Sequence, residues 1–386
     1  MTPIWIAGTM SGTSCDGVDG ALALTDGEIV AGYGPTAYRA YSVEERGVLR
    51  AAMAAAAGRG SADLRSDPDL FPAARAVVTA AHLEIFRTLV EAAEGALGAP
   101  PALLAAHGQT VLHRPDDRFT LQILDAAAIA EQLRLPVAHD FRTADVAAGG
   151  QGAPFASFHH FALLKSAGET RPTAVLNLGG VGNVSFVDPS ADAPEAPGAL
   201  LAFDTGPANA LIDDWVLERT GARYDADGRL AAAGTADRAR VARWKSHPYF
   251  AAPPPKSLDR DAFAVRGDLD GLSTEDGAAT LLRFTVETVA LAARAAPAPP
   301  ARWLVTGGGR RNPELMRQLA EALAAPVAPI EALTVAGQAV DGDMLEACAF
   351  AQLGARVLAG RPLSAPGTTG VPAPTSGGRI ARPAGG

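Results

Sequence analysis

Residues 8–19 read GTMSGTSCDGVD, between an apolar run, Ile4-Trp5-Ile6-Ala7, and the alternating stretch Val18-Asp19-Gly20-Ala21-Leu22. The pattern specifies a strand, a tight turn of small and hydroxyl residues, and a second strand. A turn of that kind exposes consecutive backbone N–H groups on a concave loop, and added hydroxyls suit it to phosphate oxygens. An ordinary Gly-rich hairpin has the same composition, because short glycine motifs recur by chance. The turn recurs, however. GGVGNVS at 179–185 follows the apolar run 174–178. Two similarly built domains, each with a phosphate-facing hairpin, are what this recurrence predicts.

The rest of the chain alternates between short apolar runs and helical patterning, which implies α/β layering. Helices are expected over 43–57, 73–97, 126–133, 208–219, 277–296, 313–324 and about 343–360. Strands are expected at 103–106, 119–123, 137–138, 184–187, 200–203 and 303–306, with one closing strand in the tail. At 386 residues two domains are the first expectation. The reading places domain I at 1–136 plus about 364–386, and domain II at 137–363.

Composition removes several classes. Lys and Arg total 33 against 42 Asp and Glu, a net charge of −9 with no basic block, which argues against nucleic acid as a partner. Two cysteines provide no disulfide framework and no zinc spacing. The sequence shows no signal peptide and no apolar run long enough to span a membrane, so a cytoplasmic protein is expected. None of the three lysines follows a glycine, so a P-loop is absent. GVGNVS at 180–185 falls short of the dinucleotide fingerprint and leads into a strand. The pair His159-His160 is read as structural, with the two rings pointing to opposite sides of their element.

Three Gly-rich turns at strand ends remain, at 8–17, 179–183 and 306–312. The first two are placed to clasp a polyphosphate, through Ser11, Gly12, Thr13, Ser14 and Asp16 on one side and Gly179, Gly180 and Asn183 on the other. In the third, Gly307, Gly308 and Gly309 let backbone lie flat against an adenine or ribose. Asn312 before Pro313 also reads as a helix N-cap, and both roles can hold together. Asp204 follows an apolar strand and precedes Thr-Gly-Pro, which fits a catalytic carboxylate and an Asx-type turn equally well.

Taken together, MSGTSCDGVD (10–19), HGQT (107–110), DFR with GGQGAP (140–154), LNLGGVGNVS (176–185), FDTGPANALID (203–213) and VTGGGRRN (305–312) resemble the anhydro-N-acetylmuramic acid kinase family. The resemblance implies the two-domain fold of sugar kinases, actin and Hsp70, with ATP and Mg²⁺ in an interdomain cleft. It also implies cytoplasmic peptidoglycan recycling and a homodimer. By that likeness Asp204 is the general base and Glu346, in MLEACAFA, lies beside the sugar with His107, Gln109, Thr110 and Arg142. Asp16 would hold the metal through water or cap its own turn. Sugar-side segments depart from the family pattern: QILD at 122–125, DFRTAD at 140–145 and PKSLDRDAFA at 255–264. A kinase for a smaller anhydrosugar such as levoglucosan, or a catalytically silent ATP-binding module, are the rival readings.

Overall fold

The hairpin expected at the N-terminus is β1 (Ile4–Ser11) and β2 (Gly17–Thr25), antiparallel from Ile4 opposite Thr25 to Met10 opposite Asp19. The computed structural model describes residues 1–67, 70–258, 263 and 265–385. β3 (Val30–Ala40) extends the meander antiparallel to β2. β4 (Leu103–Arg114) returns parallel to β1 and carries β5 (Phe119–Ile123), while β6 (Val137–His139) runs parallel to β4. The closing strand expected in the tail is Arg379–Ala381, antiparallel on β6.

The second sheet repeats this plan. β7 (Thr173–Leu178), β8 (Val181–Val187) and β9 (Leu200–Pro207) form an antiparallel meander. β10 (Arg302–Thr306) lies parallel to β7, and β11 (Val327–Pro329) parallel to β10. The second sheet runs β11-β10-β7-β8-β9, and the first runs β6-β4-β1-β2-β3 on the same plan, with β5 paired to β4 beside this path and the Arg379–Ala381 strand added outside β6. That duplicated three-plus-two sheet is the actin-like architecture the sequence led us to expect.

Two compact units result. One comprises residues 1–169, 193–195 and 334–386, the other 170–192 and 196–333. The division differs from the expected 1–136 and 137–363 because β6 pairs with β4, which carries the first unit past 136. The Leu345–Leu358 helix also belongs to the first unit, packed on β1, β2 and β4. Strand alternation sends Ala7 to a core with Leu49, Val78, Phe86 and Leu89, while Gly8 faces that helix. A side chain at Gly8 would collide with the Ala347 carbonyl, so the glycine sets how closely the helix approaches. In the second unit the Thr274–Ala292 helix buries Leu281, Phe284 and Val289 in a core shared with Phe186, Trp215 and Trp303.

Local readings shift at a few places. β9 runs on to Pro207 rather than stopping at Phe203, and β8 begins at Val181. β3 and the helices of 221–251 carry too weak a periodicity to have been read. His159 and His160 both lie buried in the Ala156–Ser166 helix. Successive helical positions are only about 100° apart, so the pair does not face opposite ways. Burial pushes their pKa values down to about 4 and about 3.

Candidate active site

In the first unit the turn between β1 and β2 is held from beneath. Cys15 N–H donates to the Gly12 carbonyl at 3.1 Å, closing the turn, and the buried Cys15 side chain anchors it with a φ of 57°. Ser11 Oγ donates to Gln109 Oε1 at 2.6 Å, and Gln109 Nε2 donates to the Gly12 carbonyl at 3.0 Å. Thr13, Ser14 and Asp16 are exposed at the tip. The bonds anchoring Asp16 reach its carbonyl, from Tyr41 N–H at 2.9 Å and the Tyr38 hydroxyl at 3.3 Å.

Around His107, inside β4, and the segment that follows β6 a second group forms. Arg142 Nε donates to His107 Nε2 at 2.9 Å, which leaves Nδ1 to donate to the Gly108 carbonyl at 2.9 Å. Burial, and then the Arg142 charge, push the His107 pKa well down, so the ring is neutral. Arg142 also donates to the Gly152 carbonyl at 2.5 Å and lies 5.3 Å from the Phe155 ring. Asp145 accepts from Gly152 N–H at 2.7 Å and from the Thr369 hydroxyl at 2.6 Å, so the drifted 140–145 segment still clamps the 149–154 loop.

Phe350 fixes the helix that bears Glu346 against this group. Its ring centroid is 4.7 Å from His107 and 5.1 Å from Phe141. Glu346, one turn earlier, is accessible to solvent. Crowding by protein raises its pKa while Arg142 opposes the rise. Asp19, which sequence reasoning passed over, joins the same field. Burial first, then Glu346, Asp343, Asp16 and Asp341, push its carboxyl up to about 7. The signal available for it was an aspartate inside an otherwise apolar strand.

In the second unit Asp204 stands opposite Asn183. Gly182 pairs with Gly206, so Thr205 is the extra residue of a β-bulge. Asp204 is therefore inside β9 at a bulge, rather than beyond the strand's end as the sequence suggested. Gly206 has a φ of 147°, and a side chain there would press on Thr288. Asp204 Oδ2 accepts from Leu258 N–H at 2.8 Å, and its carbonyl accepts from the Tyr249 hydroxyl at 2.5 Å. Of the 255–264 segment, residues 259–262 and 264 lie outside the described residues.

The other two turns meet at the carboxyl ends of β7 and β10. The carbonyls of Gly179 and Gly180 accept from the N–H groups of Asn209 and of Ala208 and Ala210, at 2.9–3.2 Å. Asn209 Nδ2 donates to the Leu178 carbonyl at 2.8 Å. Gly307 and Gly309 lie too close to Leu178 to carry side chains, and Gly308 is next to Asn209. Asn312 caps the Pro313–Leu323 helix, its Oδ1 accepting from Leu315 N–H at 3.0 Å.

The structure thus brings together Ser11, Gly12 and Gln109; His107, Arg142 and Glu346; and Asp204 with Asn183. It departs from expectation at Gln109, whose amide is engaged at both ends within the protein. Thr110 Oγ1 accepts from Gln122 at 3.2 Å, which places it in a strand-to-strand bond.

The sequence profile of the anhydro-N-acetylmuramic acid kinase family matches residues 4–383. Proteins of that name are similar along their whole length. The one from Cereibacter sphaeroides is 51% identical, covering 98% of this chain and 96% of its own. That from Nitrobacter winogradskyi is 48% identical over 97% and 99%, and that from Paramagnetospirillum magneticum 50% identical over 96% and 98%. Among solved structures, a ligand-bound xylulose kinase from Lactobacillus acidophilus aligns over 98% of this chain and 94% of its own, at 12% identity and a TM-score of 0.45.

Proposed function

The chain belongs to the anhydro-N-acetylmuramic acid kinase family, and on that premise we propose how its residues divide the reaction. The enzyme uses ATP to open 1,6-anhydro-N-acetylmuramic acid with water and phosphorylate O6, giving N-acetylmuramic acid 6-phosphate for peptidoglycan recycling. Asp204 removes a proton from the water as its oxygen bonds C1. The C1–O6 bond breaks, O6 takes the γ-phosphoryl group, and ADP departs. Because O6 leaves toward phosphorus, no second carboxylic acid is required.

Backbone N–H groups and hydroxyls of Ser11, Gly12, Thr13 and Ser14, with Gly179, Gly180 and Asn183, hold the phosphates. Gly307, Gly308, Gly309 and Asn312 receive the adenosine. The accessible carboxylate of Asp16 fits a water-mediated role toward Mg²⁺, which neutralises phosphate charge when bound. Glu346, His107 and Arg142 line the sugar side, with Thr110 behind them, and Arg142 is the cation for the lactyl carboxylate. Gln109 acts by holding the Ser11–Gly12 turn. The family reading also makes the protein a cytoplasmic homodimer; light scattering giving a monomer mass would overturn that part.

One observation carries the assignment of the base: Asp204 sits immediately before the bulge at Thr205 in β9, and a backbone N–H orients its carboxylate. Coupled ADP release should show turnover of anhydro-N-acetylmuramic acid but not levoglucosan, and Asp204→Asn should lower kcat about 100-fold or more. Wild-type turnover by that variant would remove Asp204 from the role. Activity on levoglucosan alone would reassign the substrate.

A further inference from the structure

Lys256 lies in a segment where a charged side chain invites a substrate role, yet its ammonium is directed inward. It donates to the carbonyls of Tyr249 at 2.8 Å and Ala252 at 2.9 Å. It also sits 4.6 Å from the centre of the Tyr249 ring and 5.9 Å from that of Phe203. Half-buried there, it has its pKa lowered by desolvation. Two of its three N–H donors thus close residues 249–256 into a loop.

That loop grips Asp204 at three points. Asp204 N–H donates to the Lys256 carbonyl at 3.0 Å, the Tyr249 hydroxyl donates to the Asp204 carbonyl at 2.5 Å, and Leu258 N–H donates to Asp204 Oδ2 at 2.8 Å. Tyr249 receives the lysine on its carbonyl and passes its hydroxyl to the base residue, so lysine and aspartate are two steps apart in one network.

We propose that Lys256 is a positioning residue for the reaction: it fixes the 249–258 loop around β9 so that Leu258 N–H orients the Asp204 carboxylate and stabilises its ionised form. The proposal rests on the reading of Asp204 as the general base. It assigns recognition of the substrate carboxylate elsewhere, since two of the lysine's three donors are spent on backbone and the ammonium is directed inward. Asn183 pairs with Asp204 from β8, and the Tyr249 hydroxyl, the Lys256 carbonyl and Leu258 N–H meet it from the loop.

The test is Lys256→Met in the full-length enzyme, methionine keeping an apolar stem over the Tyr249 ring. We expect kcat to fall about tenfold while KM for the anhydrosugar stays within about twofold. A carboxylate that loses an oriented N–H donor titrates higher, so the acid limb of kcat/KM should move up by roughly half a pH unit. Partial misfolding would scale the profile without moving that limb. Tyr249→Phe, which deletes only the hydroxyl, should move the limb the same way by less. A large rise in KM with kcat retained would hand Lys256 to the substrate and overturn the proposal. So would an acid limb unmoved in both variants. Asp204→Asn run alongside separates the cases, because wild-type turnover there defeats the base assignment itself, whatever Lys256 does.

Discussion

Asp19 is held in β2 between Val18 and Gly20, and the acids that perturb it come from far along the chain: Glu346, Asp343 and Asp341, besides its neighbour Asp16. That is why it was illegible in the sequence, whereas Asp204 stood out by its Thr-Gly-Pro context and Glu346 entered through the family resemblance. Its own surroundings read as a strand, and the acidic field exists only once the Leu345–Leu358 helix packs over β1 and β2. The raised pKa of about 7 has a consequence for stability. Folding disfavours the ionised form, so Asp19 contributes most below its unfolded value near 3.8 and that contribution is lost as pH rises through 7. Asp19→Asn should therefore match wild type near pH 4 and exceed it by roughly 1 kcal/mol at pH 8, after allowance for a half-buried site. Urea denaturation at the two pH values measures the difference. A variant less stable than wild type at pH 8 would show that the carboxylate is favourably paired.

At the scale of elements, the β1–β2 hairpin and its turn were legible because glycine, hydroxyl and apolar residues agree locally on one structure. What holds the turn was not. Gln109 comes from β4, and only the parallel pairing of β4 with β1 brings its amide to Ser11 and Gly12. The bulge at Thr205 escaped for a related reason: Thr-Gly-Pro reads as a turn in isolation, and pairing with Gly182 keeps it in the strand. β6 was recognised as a strand but assigned to the wrong domain, since a short apolar run does not say which sheet receives it. If Gln109 serves the turn and the turn holds phosphate as proposed, Gln109→Ala should raise KM for ATP about tenfold, with KM for the anhydrosugar within about twofold, because its bonds to Ser11 and Gly12 are lost. Initial-rate kinetics with each substrate varied separately decide it. A selective rise in the sugar KM would restore Gln109 to the sugar side.

For the whole molecule, the duplicated sheet makes a prediction about autonomy. Residues 170–333 contain all five strands from β7 to β11 and their own core around Phe186, Trp215, Phe284 and Trp303, so the second unit is an insertion within the first. The first unit is split: its opening 169 residues lack both the Leu345–Leu358 helix, on which Gly8 and Ala21 pack, and the Arg379–Ala381 strand that covers β6. Removing that helix uncovers one face of a mainly buried sheet, and removing the strand opens an edge. The fragment 170–333 should accordingly unfold cooperatively and give a dispersed amide spectrum, whereas 1–169 should do neither. Joining 334–386 to 1–169 through a flexible linker should restore cooperative unfolding, because it returns the missing layer rather than adding a new one. Cooperative folding of 1–169 alone would mean that the late helix and strand decorate the first unit instead of completing it. The carboxylate they carry, Glu346, would then be a graft on a finished fold rather than part of what finishes it.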